Sequence, residues 1–210
     1  MAIIAADFHG MKPKMEVQIG DSVKRGQKLF EDRKNPGVLF TSPGAGTVKA
    51  VNRGAKRALQ SVVIELNSNE KSGNVVDADF ASFASYQAIK DIPVNSLRAE
   101  AIEALLLESG LWTNLRARPF SRVAQPGTKP NSIFVTAMDT APLTADVDCI
   151  LEEKQGDFEH GLLIIAKLTD GKTFLCKKEG SKVQPGKASS AVQLEEFTGK
   201  HPSGTVGFHI

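Results

Sequence analysis

The sequence predicts a mixed α and β protein built in two parts, a compact all-β unit followed by an α/β domain with a parallel sheet. Three observations carry this. From Val17 to Val51, short apolar runs alternate with glycine-containing turns. From Asn67 to Asn74 the chain turns wholly polar, with Ser, Asn and Gly, which reads as a linker. From Ser132 to Lys177 a strand pattern, a helical pattern and a second strand pattern follow one another.

The first part is organised around Gly20-Asp21-x-Val23-x-x-Gly26-Gln27-x-Leu29, then Val38-x-Phe40, then Ser42-Pro43-x-x-Gly46-x-Val48. Gly20 and Gly26 supply tight turns, and apolar residues at period two face one core. Gly46 to Val51 and Leu59 to Leu66 add two further strands. The pattern resembles the barrel-sandwich hybrid of biotinyl and lipoyl carrier domains, in which a lysine at one hairpin tip is loaded with the cofactor. Lys34 sits near that tip, but its neighbours Arg33, Asn35 and Pro36 differ from a carrier context, so it reads as an ordinary surface lysine. The expected domains are a barrel-sandwich hybrid over residues 11–67 and a truncated Rossmann-like α/β domain over residues 75–210.

In the second part, Ser96 can cap a helix with Glu100 in its first turn, and Leu97, Ala101, Ile102, Leu105 and Leu106 form its apolar stripe until Gly110. A loop follows, Leu111 to Arg122, crowding the only tryptophan with Arg116, Arg118 and Arg122 around Pro119; loops of this composition carry function. Ser132 to Met138 reads as a buried strand ending at Asp139. Asp157 can cap a helix with the stripe Phe158, Leu162, Ile165 and Ala166, and Asp170-Gly171 turns into the strand Thr173 to Lys177. Strand, helical crossover and strand imply a parallel sheet with a ligand crevice at its carboxyl ends, where Asp139 lies. Val192 to Phe197 adds a strand, and Thr198 to Ile210 reads as loop.

Bulk properties narrow the function. Lys plus Arg number 26 against 24 Asp plus Glu, a net charge of +2 that gives no argument for nucleic acid. Cys149 and Cys176 form neither a disulfide framework nor a C-x-x-C pair, which favours a reducing compartment. No secretory pattern opens the chain, and no window approaches the roughly 20 apolar residues of a membrane span. Both ends are abrupt, as expected of a piece of a longer polypeptide. The basic residues Lys24, Arg25, Lys28, Arg53, Lys56 and Arg57 fall largely at turns of the first unit, either as a solvated surface or as a docking face for an acidic partner.

Catalytic motifs are missing. Gly180 to Lys187 mimics a phosphate loop, but five residues separate its glycines and Ala188 stands where Ser or Thr must bind magnesium. Gly44-Ala-Gly46 lacks the third glycine and the helix of a dinucleotide fingerprint. His9, His160, His201 and His209 lack the spacing of a zinc site, and Cys176 occupies an apolar strand position. Asp139, Asp146 and Asp148 are left as either a carboxylate cluster or helix and strand caps.

The segments GMKPKMEVQIGDSVKRGQKLFEDRKNPGVLFTSPGAGTV, NRGAKRALQSVVIE, ESGLWTNLRARPFS and IFVTAMDTAPLTAD closely resemble the A-subunit family of bacterial sodium-translocating NADH:quinone oxidoreductases. The family is related to the flavin-bearing, NAD-binding subunit of respiratory complex I, which implies a second domain resembling that flavoprotein core. Here the loop Gly110 to Phe120 has one glycine and bulky side chains where the flavin would lie, and Met138-Asp139-Thr140-Ala141-Pro142 lacks the second acidic residue of the relatives. Both departures imply that no cofactor binds this chain. FMN, FAD, riboflavin and a 2Fe-2S cluster are implied for other subunits, with ubiquinone as substrate. The implied place is the cytoplasmic face of the bacterial inner membrane, bound to other subunits, especially the membrane B subunit. A quinone needs apolar walls and donors for its carbonyl oxygens. The stretches Ile4 to Met11 and Trp112 to Phe120 offer Phe8, Met11, Trp112 and Phe120 as walls and His9, Arg116 and Arg118 as donors. The rival expectation is a structural adaptor that never touches quinone.

Overall fold

A computed structural model describes residues 1–210 as two compact units, residues 1–92 with 100–128 and residues 93–99 with 129–210. No helix is long and apolar enough to cross a membrane.

The first unit is built from β1 (Ala2–Ile4), β2 (Pro13–Met15), β3 (Ser22–Val23), β4 (Lys28–Asp32), β5 (Leu39–Thr41), β6 (Gly46–Arg53) and β7 (Leu59–Leu66). They form two antiparallel sheets in the orders β1-β7-β6-β3 and β2-β4-β5. Period-two alternation buries Val38 with Phe40 and Val62 with Ile64, Val48 joins them from β6, and a register shift in β4 buries the adjacent Leu29 and Phe30; each such side chain contributes about 1.5–3 kcal/mol. The rings of Phe30 and Phe40 stack at 4.6 Å inside this core. Between β4 and β5, Asp32 Oδ1 accepts the backbone N–H groups of Lys12 and Lys34 at 2.9 and 3.0 Å, tying down the turn that exposes Lys34.

The expected linker is instead an ordered strap. Asn67 caps α1 (Ser68–Ser72) by accepting the Glu70 N–H at 2.9 Å. The Glu70 carboxylate, whose side chain is 2% exposed, then accepts from Arg25 Nε and from the Ala45 N–H at 2.8 Å. Asp79 accepts from Asn67, Asn69 and the Val76 N–H, and Arg25 lies 5.4 Å over the Phe80 ring. Polar side chains that read as solvated are here consumed by one another.

Beyond the strap come α2 (Ala84–Ile89) and α3 (Ala99–Ser109). The Glu108 carboxylate supplies the cap that the sequence of α2 lacks, accepting the N–H groups of Ala84 and Ser85 at 3.0 and 2.8 Å. Ser96 closes a separate 3-10 turn, Val94–Ser96, so it does not cap α3, which begins at Ala99. The Leu111 to Arg122 loop folds into a 3-10 turn, Leu111–Asn114, and a hairpin of β8 (Arg116–Ala117) with β9 (Arg122–Val123).

The second unit is a parallel sheet in the order β10-β11-β12, formed by Ser132–Ala137, Lys172–Lys178 and Val192–Phe197. The βαβ expectation holds, with α4 (Val147–Leu151) and α5 (Gln155–Ile165) in the crossover. Their apolar side chains Val147, Leu151, Phe158 and Leu162 pack with Ala137, Leu175, Val183 and Val192. Asp157 lies within the first turn of α5 rather than at its cap, where its charge still complements the helix dipole. The C-terminal stretch expected as loop ends in α6 (Val206–His209), and the His209 ring packs 4.1 Å from Phe197.

Candidate functional site

Two places gather the residues of interest, one in each unit. In the first, β1 runs into a 3-10 turn, Ala5–Asp7, and the chain reverses through Phe8 to Met11 with Gly10 at φ 81°. The Phe8 ring meets Phe40 edge-on at 4.7 Å, which extends the Phe30–Phe40 stack to the surface. From β8, the Arg116 guanidinium lies over the same ring, 5.0 Å from its centre, and donates Nη2–H to the Asp7 carbonyl at 3.1 Å. Phe8 therefore contacts both the aromatic core and a cation, each favoured by the ring quadrupole.

Of the other residues singled out, His9 is exposed in the turn and Met11 is half-buried just before β2. Trp112 is 4% exposed and donates its indole N–H to the Ala124 carbonyl at 2.8 Å, so it anchors the hairpin from inside. Arg118 and Phe120 occupy the hairpin tip, where Phe120 is 73% exposed beneath Arg122, whose guanidinium lies 5.8 Å from the ring centre. The fold thus joins Phe8 with Arg116 and sets Trp112 apart from them in the interior. Sequence reading names Phe40 as a strand residue, Lys34 as a surface lysine and Arg122 in the arginine-rich loop, but places none of them in the site. A β-carbon placed on Gly10 would lie 3.9 Å from both Arg122 Nε and Lys34 Nζ, so the Gly10 turn runs beside two cations from distant segments.

In the second unit, a cleft of about 290 Å³ opens at the carboxyl ends of β10 and β11, lined by Met138, Thr144, Asp146, Asp148, Lys178 and Ser181. The three aspartates do not act as a cluster. Asp139 accepts the Ala141 N–H at 2.7 Å and the Thr144 hydroxyl at 3.1 Å, and these donors hold its carboxyl below the ordinary 3.8. Asp146 caps α4, and Asp148 accepts the Ser181 hydroxyl at 2.5 Å, which lowers its carboxyl as well. No group of three or more His, Cys, Asp or Glu side chains converges as a metal site. Beside this cleft lies another of about 440 Å³, between α4, α5 and Lys182 to Gln184, with Cys149, Glu152 and Glu159 on its walls. Lys177, 2% exposed, closes the sheet end by donating to the Ser181 carbonyl at 2.9 Å and pairing with Glu196 at 3.1 Å.

Comparison with known proteins gives two family matches. Residues 1–67 match a family described as the NqrA N-terminal barrel-sandwich hybrid domain, and residues 97–210 match the NqrA second alpha/beta domain. Over all 210 residues the chain is 47% identical to the A subunit of the Na(+)-translocating NADH-quinone reductase of Saccharophagus degradans and 49% identical to that of Pseudomonas aeruginosa. It is 46% identical to its counterpart in Yersinia pseudotuberculosis. The chain spans 44% of the length of each of these relatives.

Proposed function

Because the chain belongs to the NqrA family, with the N-terminal barrel-sandwich hybrid and second α/β domains, we propose that it serves quinone contact and assembly within a sodium-translocating NADH-quinone reductase. One observation carries the quinone reading, namely Phe8 in contact with both the Phe40 ring and the Arg116 guanidinium. A quinone ring is flat and electron-poor, and its carbonyl oxygens gain charge on reduction. An aromatic wall beside a guanidinium offers stacking and a charge-assisted donor to that species. Met11, His9, Arg118 and Phe120 extend the proposed contact surface, and Trp112 supports it from below.

In this reading the chain sits on the cytoplasmic face, bound to the membrane B subunit, while the flavins and iron-sulfur cluster reside elsewhere in the complex. The second unit is read as a core like that of the complex I flavoprotein with its cofactor site lost. Asp146, Asp148 and Glu179 at the sheet end make a poor cradle for a flavin phosphate. The adaptor reading is favoured by a different observation, the burial of Trp112 with its N–H already satisfied, which leaves one of the expected walls inside the unit.

The test is a titration with a short-chain ubiquinone analogue, followed by Trp112 fluorescence. The 3-10 turn bearing Trp112 packs on β5, the strand that carries Phe40. Saturable quenching is expected, weakened about tenfold in Arg116→Gln through loss of a charge-assisted donor. Equal affinity in the parent, Arg116→Gln and Phe8→Leu proteins sinks the quinone site and favours the adaptor.

A further inference from the structure

From the surface around Gly10 we infer that the first unit carries a peripheral docking patch for an anionic phospholipid surface, with Phe120 as its insertion tip. Lys34 and Arg122, from the β4–β5 turn and from β9, flank the Gly10 turn at 3.9 Å from its β-carbon position. Lys12 joins them, because the Arg33 N–H donates to the Lys12 carbonyl at 2.8 Å and brings Lys12 and Arg33 side by side. Arg118 stands on the hairpin that carries Arg122. Lys12, Arg33, Lys34, Arg118 and Arg122 are all exposed, and none of them forms an ion pair.

The carboxylates in the neighbourhood do little to neutralise them. Asp32 is buried, with one oxygen committed to the Lys12 and Lys34 N–H groups. Glu31 accepts from the Gly37 N–H and faces Lys28. Asp7 is the one exposed carboxylate in the Phe8 turn. A net excess of unpaired cations therefore gathers around the Gly10 turn and the adjoining hairpin.

At the hairpin tip Phe120 stands 73% exposed, between Pro119 and Ser121, with a guanidinium over its ring. An exposed aromatic at a hairpin tip with Arg122 over its ring, on the hairpin that brings Arg122 beside Lys34, has the chemistry of an interfacial anchor. The ring partitions into the boundary between headgroups and acyl chains, and the cations meet the lipid phosphates. Each cation near an anionic surface strengthens binding about fivefold, and the attraction decays within a Debye length. An acidic protein segment would satisfy the same cations, but it gives no reason for a bulky apolar side chain to stand on a protruding turn. The inference does not rest on quinone binding, which is carried by Phe8 and Arg116; Arg118 and Phe120 border both surfaces, whereas Lys34 and Arg122 belong to the lipid patch alone.

The experiment is flotation of the 210-residue chain with quinone-free vesicles, made either of phosphatidylcholine alone or of phosphatidylcholine mixed with phosphatidylglycerol. Binding is expected to the mixed vesicles only and to weaken steeply as salt rises. The double variant K34E/R122E should abolish it. Phe120→Ser should weaken it about tenfold through loss of apolar burial. K178E/K182E, on the second unit, should leave it unchanged. Absence of binding to the mixed vesicles by the parent chain overturns the proposal. So does an equal loss in K34E/R122E and K178E/K182E, which would make binding a matter of net charge. Salt-sensitive capture by poly-glutamate without vesicle binding overturns it in favour of an acidic protein partner. Thermal melts of each variant separate these outcomes from misfolding, and because no quinone is present the result stands whatever the ubiquinone titration gives.

Discussion

At the scale of single residues, Gly46 shows why side-chain volume can decide the barrel where local propensity does not. It opens β6 opposite Leu66 and Val23, and a β-carbon there would lie 2.0 Å from the Glu65 carbonyl oxygen. The obstacle is backbone of the paired strand, so it cannot swing aside as the end of a side chain would. Gly46→Ala should destabilise the first unit by about 3 kcal/mol, a severe overpacking cost, read as an earlier thermal transition in Trp112 fluorescence. A loss under a few tenths of that size would mean that β6 and β7 separate freely at this end. Phe8 and Phe120 make the complementary point. Both are aromatic residues in turns, and nothing local distinguishes them, yet one is fixed by Phe40 and Arg116 while the other stands in solvent. That difference arises from contacts with segments distant in the sequence, which composition and spacing do not record.

At the scale of elements, the strap from Asn67 to Phe80 is held by buried and half-buried carboxylates. The hydrogen bond from Arg25, followed by that from the Ala45 N–H, keeps the Glu70 carboxyl below its ordinary 4.5. The Val76 N–H and Asn69 hold Asp79 below 3.8. A carboxyl with a depressed folded-state pKa stabilises the fold fully above its unfolded pKa. That contribution is lost as pH falls through the folded value, because the proton must then be accepted at a site built for the anion. Glu70→Gln should therefore melt lower than the parent at neutral pH, and the two curves should begin to converge as the pH falls below the unfolded carboxyl value of about 4.3 and meet once it has passed the lower folded value. A constant gap down to acid pH would show that the ion pair with Arg25 contributes nothing there. This strap was the least legible element in the sequence, since Asn67, Asn69, Glu70 and Asp79 look identical whether they face water or one another. Elements whose apolar residues repeat at a fixed period were legible. The barrel strands Leu59–Leu66 and Gly46–Arg53 and the parallel pair at Ser132–Ala137 and Lys172–Lys178 came from that signal. Ends were not. Ser96 and Asp157 are good capping residues by type, but Ser96 closes the Val94–Ser96 turn ahead of α3, and α5 starts at Gln155, two residues before Asp157.

At the scale of the whole molecule, each unit carries its own built-in reporter. Trp112, the only tryptophan, is buried in the first unit. Cys176 is 1% exposed on the central strand of the second, whereas Cys149 is exposed. Burial, with a smaller push from Glu195, raises the Cys176 thiol to about 11 from an ordinary 9.0. A thiol reagent near pH 8 should thus label Cys149 at once and Cys176 only as the second unit opens, because the thiolate is the reacting form. The sign of the linkage follows from the direction of the shift. A group whose folded pKa is raised keeps its proton more tightly when folded, so its contribution is complete below pH 9 and drains away as the pH climbs toward 11. Over that span the loss reaches at most about 3 kcal/mol. Cys176→Ala, which removes the ionisable group from the strand that packs against Leu162 and Val183, should flatten the alkaline decline of the second unit. The first unit's Trp112 transition supplies the internal control for lysine and tyrosine titration. If Cys176 is labelled in the native chain as fast as Cys149, the central strand is not closed in solution and the raised thiol pKa has no basis. Slow labelling that accelerates together with unfolding would fix the second unit as a closed sheet on which Lys177 is held beneath Glu196.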